Sequence, residues 1–148
     1  MERKFVEVYT DGACSGNPGV GGWGVVLLYN GIKKELSGFF PETTNNRMEL
    51  FSALQGLKQL KVPCDVHLYS DSAYLVDAFN KGWIEGWQKN KWRTAGKDEV
   101  KNQDLWRALL VEVARHNVTF IKVKGHSDNF YNNRCDEMAR EEIKLHRS

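Results

Sequence analysis

Two short runs rich in β-branched and aromatic residues, Phe5–Thr10 and Val66–Ser70, are each followed at once by an aspartate. Such runs are typical of strands. Asp11 follows the first run and Asp71 follows the second. If the two strands are parallel neighbours, their carboxyl ends lie at the same sheet edge, where α/β folds bind ligands. The pattern therefore predicts an α/β fold that brings two carboxylates together at one edge.

Two further strands are predicted between these runs, at Gly24–Tyr29 and Lys33–Phe40. They are joined by Asn30-Gly31, a dipeptide that favours the positive φ angles of a two-residue hairpin turn. The first three strands are therefore predicted to form an antiparallel meander. The glycine-rich stretch over residues 11–19 is typical of a turn, so we expect the first strand to end at its start.

The other segments alternate between helical and strand patterns. Helices are predicted at Thr44–Leu60, Ser72–Phe79, Asn102–His116 and Asn132–Leu145, with a fifth strand at Val118–Lys124. Glu49 borders the apolar face of the first helix, and Asp136 shares a stripe with Ala139 and Ile143 in the last. Because burying an unpaired charge is costly, both carboxylates need partners.

Four carboxylates are thus candidates for one shared site: Asp11, Glu49, Asp71 and Asp136. Each could instead be an ordinary turn or cap residue. If they converge, their repulsion is relieved either by protonating one or two of them or by binding a cation. Carboxylate ligands without cysteine or adjacent histidine favour Mg²⁺ or Mn²⁺ over Zn²⁺. Two such ions about 4 Å apart carry out the phosphodiester chemistry of nucleases and polymerases.

The composition is that of one globular domain spanning residues 1–148. No apolar stretch approaches the roughly 20 residues that a membrane-spanning helix needs, and no export signal precedes the first strand. The three cysteines have no Cys-x-x-Cys spacing, which argues against disulfides and thiolate zinc sites. We therefore expect a soluble cytoplasmic protein with reduced thiols, monomeric by default, with no membrane association and no obligate protein partner.

Separated motifs match the signature segments of one family. They are Tyr9–Gly19, Thr43–Leu50, Ser70–Ser72, Lys124–His126 and Arg134–Glu137. These segments resemble ribonuclease H of the bacterial type-one class, in the correct order and over about residues 5–143. The resemblance implies a ribonuclease H-like fold, in which a five-stranded mixed sheet with its first three strands antiparallel is flanked by helices.

The same resemblance implies an endonuclease that hydrolyses the RNA strand of RNA/DNA hybrids and leaves 5′-phosphate and 3′-hydroxyl ends. Two Mg²⁺ ions would be held by the four carboxylates, with Mn²⁺ as a possible substitute. Asp11 would bridge both ions, and which ion each other carboxylate binds stays open. His126 would transfer a proton or assist product release, a role that suits its near-neutral pKa.

Further residues are expected to contact the hybrid. Family positions that touch its backbone match Cys14, Asn17, Asn45 and Asn132, and we expect the same of Thr44 and Asn102. Amide and main-chain groups can bond sugar hydroxyls and phosphates, and the 2′-hydroxyl distinguishes RNA from DNA. Each of these residues could instead serve only in a turn or a helix cap.

The segment from about residue 81 to residue 101 combines tryptophans with basic residues. It carries six basic and three acidic residues, a local charge of +3 against +2 for the whole chain. This composition suits a surface that follows a phosphate backbone, and it resembles the basic protrusion of bacterial ribonucleases H, which grips the DNA strand. The expected contacts are Trp83, Trp87, Lys89, Lys91, Trp92 and Lys101. Alternatively, the tryptophans pack on one another in a solvated helical hairpin.

One departure from the family pattern lies just before the last helix. Relatives commonly carry a glutamate after the asparagine of this loop, whereas this chain has Asn132-Asn133-Arg134, preceded by residues 127–131. Rate, metal preference and product release are therefore left open. Two rival classes also stay open: a transposase or integrase core, which shares the fold, and a hybrid-binding module that has lost its chemistry. The second would be expected to lack at least one of the four carboxylates.

Overall fold

The computed structural model describes residues 3–125 and 129–147. Their strands form one mixed sheet in the order β3-β2-β1-β4-β5. The strands are β1 (Lys4–Cys14), β2 (Gly19–Tyr29), β3 (Ile32–Thr43), β4 (Cys64–Ser70) and β5 (Asn117–Lys122). The helices are α1 (Asn45–Lys58), α2 (Ala73–Asn80), α3 (Trp83–Lys89), α4 (Gln103–Ala114) and α5 (Phe130–His146). The expected α/β class and five-stranded sheet are confirmed.

Strand directions follow the prediction from sequence. The pairs β1–β2 and β2–β3 are antiparallel, whereas β1–β4 and β4–β5 are parallel. Asn30 and Gly31 both have positive φ, at 51° and 81°, as their hairpin turn requires. Tyr9 pairs with Tyr69, so Asp11 and Asp71 each lie two residues beyond a matched pair. The register therefore places the two aspartates at equivalent positions of neighbouring strands.

The prediction that the first strand ends at Asp11 is wrong. Strand β1 continues to Cys14 because β2 pairs with it as far as Gly21, so β2 begins at Gly19 rather than at Gly24. The glycines at the start of β2 are typical of a turn, but in the folded protein they allow α5 to pack closely on the strand. A Cβ at Gly22 would lie 2.1 Å from the Ala139 carbonyl oxygen of α5, so the helix can rest directly on the strand only because no side chain intervenes.

Two apolar layers lie on opposite faces of the sheet. Neighbouring residues of a strand point to opposite sides, so Val8 packs with α1 and α4, whereas Tyr9 packs with α5. The larger layer contains the fully buried Trp106 of α4, and the smaller contains Cys135 of α5. Both layers anchor helices whose ends reach the carboxyl edge of β1 and β4. Among the described helices, none has the length and apolar character to cross a membrane.

Candidate active site

Three of the four predicted carboxylates converge at the carboxyl edge of β1 and β4. Asp11, Glu49 and Asp71 each offer one carboxylate oxygen, and these oxygens lie within 4.8 Å of one another. The parallel register of β1 and β4 places Asp11 and Asp71 at this edge, and α1 contributes Glu49. Oxygens at this separation can share a cation, so the geometry supplies a carboxylate site that sequence spacing alone could not demonstrate.

The position of Glu49 depends on close contact between α1 and β1. The Gly12 amide donates a hydrogen bond of 2.7 Å to Glu49 Oε1. A Cβ at Gly12 would lie 2.4 Å from the Met48 carbonyl carbon, so only glycine permits this approach. Thr44 begins the helix as its N-cap, accepting a hydrogen bond from the Arg47 amide. The cap and the glycine together direct the Glu49 carboxylate at the two aspartates.

The cluster concentrates negative charge in a buried place. Asp11 is 6% exposed and Glu49 is 5% exposed. Burial, followed by the charges of Asp71 and Asp136, raises the pKa of Asp11 to about 8. Burial, followed by Asp11 and Asp71, also raises the pKa of Glu49 well above its ordinary value. A proton on the cluster, or a cation bound to it, therefore relieves the repulsion among these carboxylates.

The donor set fits a hard divalent cation. Besides the three carboxylates, Asn132 lines the same cavity, and its buried Oδ1 has no hydrogen-bond partner among the described residues. Carboxylate and carbonyl oxygens are the ligands that Mg²⁺ and Mn²⁺ prefer. A cation at this point would neutralise the clustered charge and could satisfy the orphaned oxygen as well.

Asp136 lies beside the cluster in α5 and is half-buried. It lines the same cavity, which measures about 190 Å³, and its hydrogen bond and charge help raise the pKa of Asp11. Its carboxylate also pairs with Arg140, whose Nε lies 3.0 Å from each oxygen. The predicted convergence thus brings three carboxylates together, with the fourth adjacent and held by an arginine.

Arg140 and Lys124 are cavity residues that the sequence reasoning missed. Arg140 follows Asp136 by four residues, and this spacing places both on one helix face. That spacing was the available signal, since an acid and a base four residues apart on a helix commonly pair. His126 lies outside the described residues, so its proposed role stays a prediction.

The predicted contacts around the β1–β2 turn have internal partners. The Cys14 thiol donates towards the carbonyl oxygens of Gly19 and Thr43, at 3.4 and 3.3 Å. Asn17 Oδ1 accepts from the Asn45 amide at 3.0 Å. These bonds fasten the turn to the start of α1. Asn45 is exposed and lines the catalytic-side cavity, so its side chain is available to a ligand.

Asn102 joins α4 to α1 through a polar network. Its backbone is left-handed, with φ 62°, and its Nδ2 donates to the Tyr74 hydroxyl at 3.0 Å. Its Oδ1 accepts from Arg47, which also forms an ion pair with Asp104 at 2.6 Å. Asn102 is half-buried, and both polar atoms of its side-chain amide are already bonded.

Trp92, which we predicted to contact the hybrid, is buried in the folded protein. Trp92 is 7% exposed, and the Arg107 guanidinium covers its ring at 4.7 Å. Trp87 is half-buried, with its ring centroid 6.3 Å from that of Trp92 and 5.4 Å from that of Trp106. The alternative reading, that tryptophans pack on one another, applies to these two. Trp83 keeps 39% of its surface exposed.

The basic residues of the same segment face solvent. Lys89, Lys91 and Lys101 are all exposed. Within residues 3–125 and 129–147, none of the three pairs with a carboxylate at salt-bridge distance. The segment therefore presents unneutralised positive charge on a scaffold anchored by buried tryptophans. We call residues 81–101 the basic protrusion.

The sequence matches a family model described as RNase H over residues 3–144. A ribonuclease H from Caldanaerobacter subterraneus subsp. tengcongensis is 64% identical over 144 residues, covering 97% of this chain and 94% of that protein. A ribonuclease H from Chlorobium phaeobacteroides is 60% identical over 147 residues, covering 99% of this chain and all of that protein.

Solved structures agree in fold. LC9-RNase H1, described as a type 1 RNase H with the type 2 active-site motif, is similar with a TM-score of 0.84 and 29% identity. The match covers 95% of this chain and 72% of that one. LC11-RNase H1, solved in complex with an RNA/DNA hybrid, has a TM-score of 0.73 and covers 97% of this chain and 99% of that one. At 24% identity, the second likeness concerns the fold alone.

Proposed function

This chain belongs to the ribonuclease H family, and from that premise we propose that it is an endonuclease that hydrolyses the RNA strand of RNA/DNA hybrids. The observation that carries the proposal is the convergence of Asp11, Glu49 and Asp71 within 4.8 Å, beside an open cavity. A hybrid-binding module that had lost its chemistry would have no reason to keep buried, mutually repelling carboxylates.

We assign the two Mg²⁺ ions of the reaction to Asp11, Glu49, Asp71 and Asp136, with Mn²⁺ as a possible substitute. Bound there, the ions would activate the attacking water and neutralise the leaving 3′ oxygen. Water adds to phosphorus and the bond to the 3′ oxygen breaks, which leaves a 5′-phosphate and a 3′-hydroxyl. The raised pKa values of Asp11 and Glu49 support this assignment, because they reflect the charge that a cation would offset.

The chain's own residues prepare the site before substrate arrives. The Gly12 amide holds Glu49 in place, and Asn132 lines the cavity with a buried Oδ1 that has no hydrogen-bond partner within residues 3–125 and 129–147. We propose that Asp11 would serve as a ligand shared by both ions, because it converges with Glu49 and Asp71 and also interacts with Asp136. His126, following the glycine that lines the cavity, is proposed to accept or deliver a proton.

A single assay separates this proposal from its rivals. Labelled RNA/DNA hybrid, duplex DNA and duplex RNA are incubated with the protein in Mg²⁺ or chelator, alongside Asp11→Asn and the control Asp65→Asn. We expect cleavage of the hybrid's RNA strand only, lost in chelator and in Asp11→Asn, and unchanged in Asp65→Asn, which lies near the start of β4, away from its carboxyl edge. Cleavage of duplex DNA would favour a transposase-like core. Binding without cleavage would favour the non-catalytic module.

The basic protrusion is proposed to hold the DNA strand through Lys89, Lys91 and Lys101, with exposed Trp83 packing on a sugar. Neutralising the three lysines together should raise the Michaelis constant for hybrid and lower the salt slope of binding by about 3, or roughly one for each phosphate contact. The matched control neutralises Lys34, Lys58 and Lys61. Lys58 and Lys61 lie at the end of α1 opposite Glu49. Michaelis constants unchanged across a salt titration would count against this role.

We also propose that one chain acts alone, in the cytoplasm. All four carboxylates come from a single chain, and the three cysteines are free thiols, two of them buried. Light scattering during turnover, which should report a mass near 17.0 kDa, tests the first point.

A further inference from the structure

A second cavity, of about 510 Å³, adjoins the catalytic cavity. The two share Ala13, Asn45 and Arg140, so they form one continuous groove. The far part of the groove is lined on one side by the β1–β2 turn and on the other by Lys144 and Arg147 near the end of α5. A ligand that enters the catalytic cavity can therefore continue along α5 without leaving the protein surface.

The basic residues of this groove lie along α5 and at its carboxyl end. Arg140 and Lys144 are four residues apart on one face of the helix, and Arg147, the C-cap, lines the same groove. Lys144 and Arg147 are exposed, and within the described parts of the chain neither forms an ion pair, although Glu141 is three residues before Lys144. Their charge is therefore available to an external anion.

Apart from Asp136, which lines the catalytic cavity and pairs with Arg140, the acidic residues of α5 are directed elsewhere. Glu142 accepts a hydrogen bond from Ser37 of β3 at 2.7 Å, and Glu137 pairs with Arg134. These groups line a separate cavity on the β3 side of the helix. The helix thus separates its charges, with an acidic side against β3 and a basic side along the groove. Such a separation favours a polyanion in the groove.

The dimensions of the basic face suit a nucleic-acid strand. At 1.5 Å per residue, the four steps from Arg140 to Lys144 span about 6 Å along the helix axis, and Arg147 extends the basic surface beyond the end of the helix. One strand of a duplex presents a phosphate about every 3.4 Å along the duplex axis, so a surface of this length can meet more than one phosphate of the same strand. Because the groove opens directly into the catalytic cavity, the strand lying in it is the strand whose phosphodiester is cut.

We propose that Arg140, Lys144 and Arg147 form a phosphate track that holds the RNA strand on one side of the scissile bond. The inference rests on the proposed hybrid-nuclease function and adds a strand-specific contact surface to it. The basic protrusion grips the DNA strand, whereas this track grips the RNA strand. Two separate contacts would hold the hybrid in register on either side of the catalytic carboxylates.

The test uses Lys144→Gln combined with Arg147→Gln, which leaves Arg140 and Asp136 intact. The control, Lys58→Gln combined with Lys61→Gln, removes the same charge from the other end of the protein. We expect the double variant to raise the Michaelis constant for hybrid about tenfold near 50 mM salt, with kcat near that of the wild type, and to lower the salt slope by about 2. The charge-keeping pair Lys144→Arg and Arg147→Lys should restore both values.

Trimmed hybrids identify the strand. On one side of the cut, removing the RNA nucleotides should abolish the difference in Michaelis constant between the double variant and the wild type. Removing the opposite DNA nucleotides should leave that difference unchanged. A difference that vanishes only on trimming DNA, or a double variant with the wild-type salt slope, would overturn the track. If the wild type fails to cleave hybrid at all, the proposed function itself fails, which is a distinct result.

Discussion

Replacing Asp11 by asparagine should stabilise the metal-free protein while abolishing cleavage. Asp11 is 6% exposed and lies against Asp71 and Asp136, and these surroundings raise its pKa to about 8 from an ordinary 3.8. The folded protein therefore retains a proton that the unfolded chain has released at neutral pH. Holding this proton lowers the free energy of unfolding at neutral pH. The amide of the variant carries no charge and needs no proton, so the variant does not lose this stability.

The magnitude follows from the two pKa values. At pH 7, about three units above its unfolded pKa, the carboxyl of the unfolded chain is ionised, whereas the carboxyl of the folded protein keeps its proton. This difference lowers the free energy of unfolding by at most about 4 kcal/mol. Part of this cost is shared, because a proton held by Glu49 or Asp71 relieves its neighbours as well. We therefore expect Asp11→Asn to gain roughly 1 to 3 kcal/mol in the free energy of unfolding in chelator.

The assay is urea unfolding in chelator from about pH 3 to pH 8, with Asp98→Asn as the control for a simple Asp-to-Asn change. Because the folded pKa is raised, the wild type loses stability relative to the variant as pH rises from about 4 to about 8, and the two converge below pH 4. Saturating Mg²⁺ at about a hundred times its dissociation constant should add about 2.7 kcal/mol to the wild type and much less to the variant. A variant no more stable than the wild type in chelator at pH 7 would refute the reasoning.

Three further changes test how the site is supported. Gly12→Ala should lower stability by about 2 kcal/mol or more and slow single-turnover cleavage, since its Cβ would lie 2.4 Å from the Met48 carbonyl carbon. His116→Phe leaves the buried Cys64 amide without its acceptor and should cost about 1 to 3 kcal/mol in urea unfolding at pH 7.5. Because burial lowers the pKa of His116, this loss should shrink as pH falls below about 6.5. Ser72→Ala removes the N-cap of α2 and should lower the free energy of unfolding by about 1 kcal/mol, with unchanged cleavage.

Local signals were sufficient to predict most of the strands and to place two carboxylates directly after two of them. The Asn30-Gly31 turn and the two β-branched runs act over a few residues, so their patterns are visible in the sequence. Parallel pairing of β1 with β4 then brings Asp11 and Asp71 together without further information. The strands and the turn were predictable because short-range chemistry determines them, whereas the parallel pairing is non-local and entered the prediction only as a condition.

The start of β2 was not predictable in the same way. Residues 19–24 contain four glycines, a composition typical of loops, yet they form a strand. The reason is non-local: Gly22 and Gly24 lie against the backbone of α5, where a Cβ would come within 2.1 and 2.5 Å of carbonyl oxygens. Only the packing partner, more than a hundred residues away, shows why glycine is required there.

Trp92 shows the same limit for function. Tryptophans interleaved with lysines predict a nucleic-acid surface, but burial decides which rings can serve. Trp92 occupies the core beneath Arg107, and Trp83 stays exposed. Composition identified the basic protrusion. Only the folded structure shows that Trp92 is buried, whereas Trp83 is exposed and can contact a ligand.

Asp136 links the catalytic cavity to the groove along α5. Its helical spacing predicted an inward carboxylate in need of a partner, and the structure supplies that partner as Arg140. A cation that takes Asp136 as a ligand competes with this guanidinium. Arg140 also lines both cavities, so the charge it withdraws from Asp136 becomes available to a phosphate in the groove. Occupation of the carboxylate cluster by metal and occupation of the phosphate track by RNA would therefore favour one another through a single arginine.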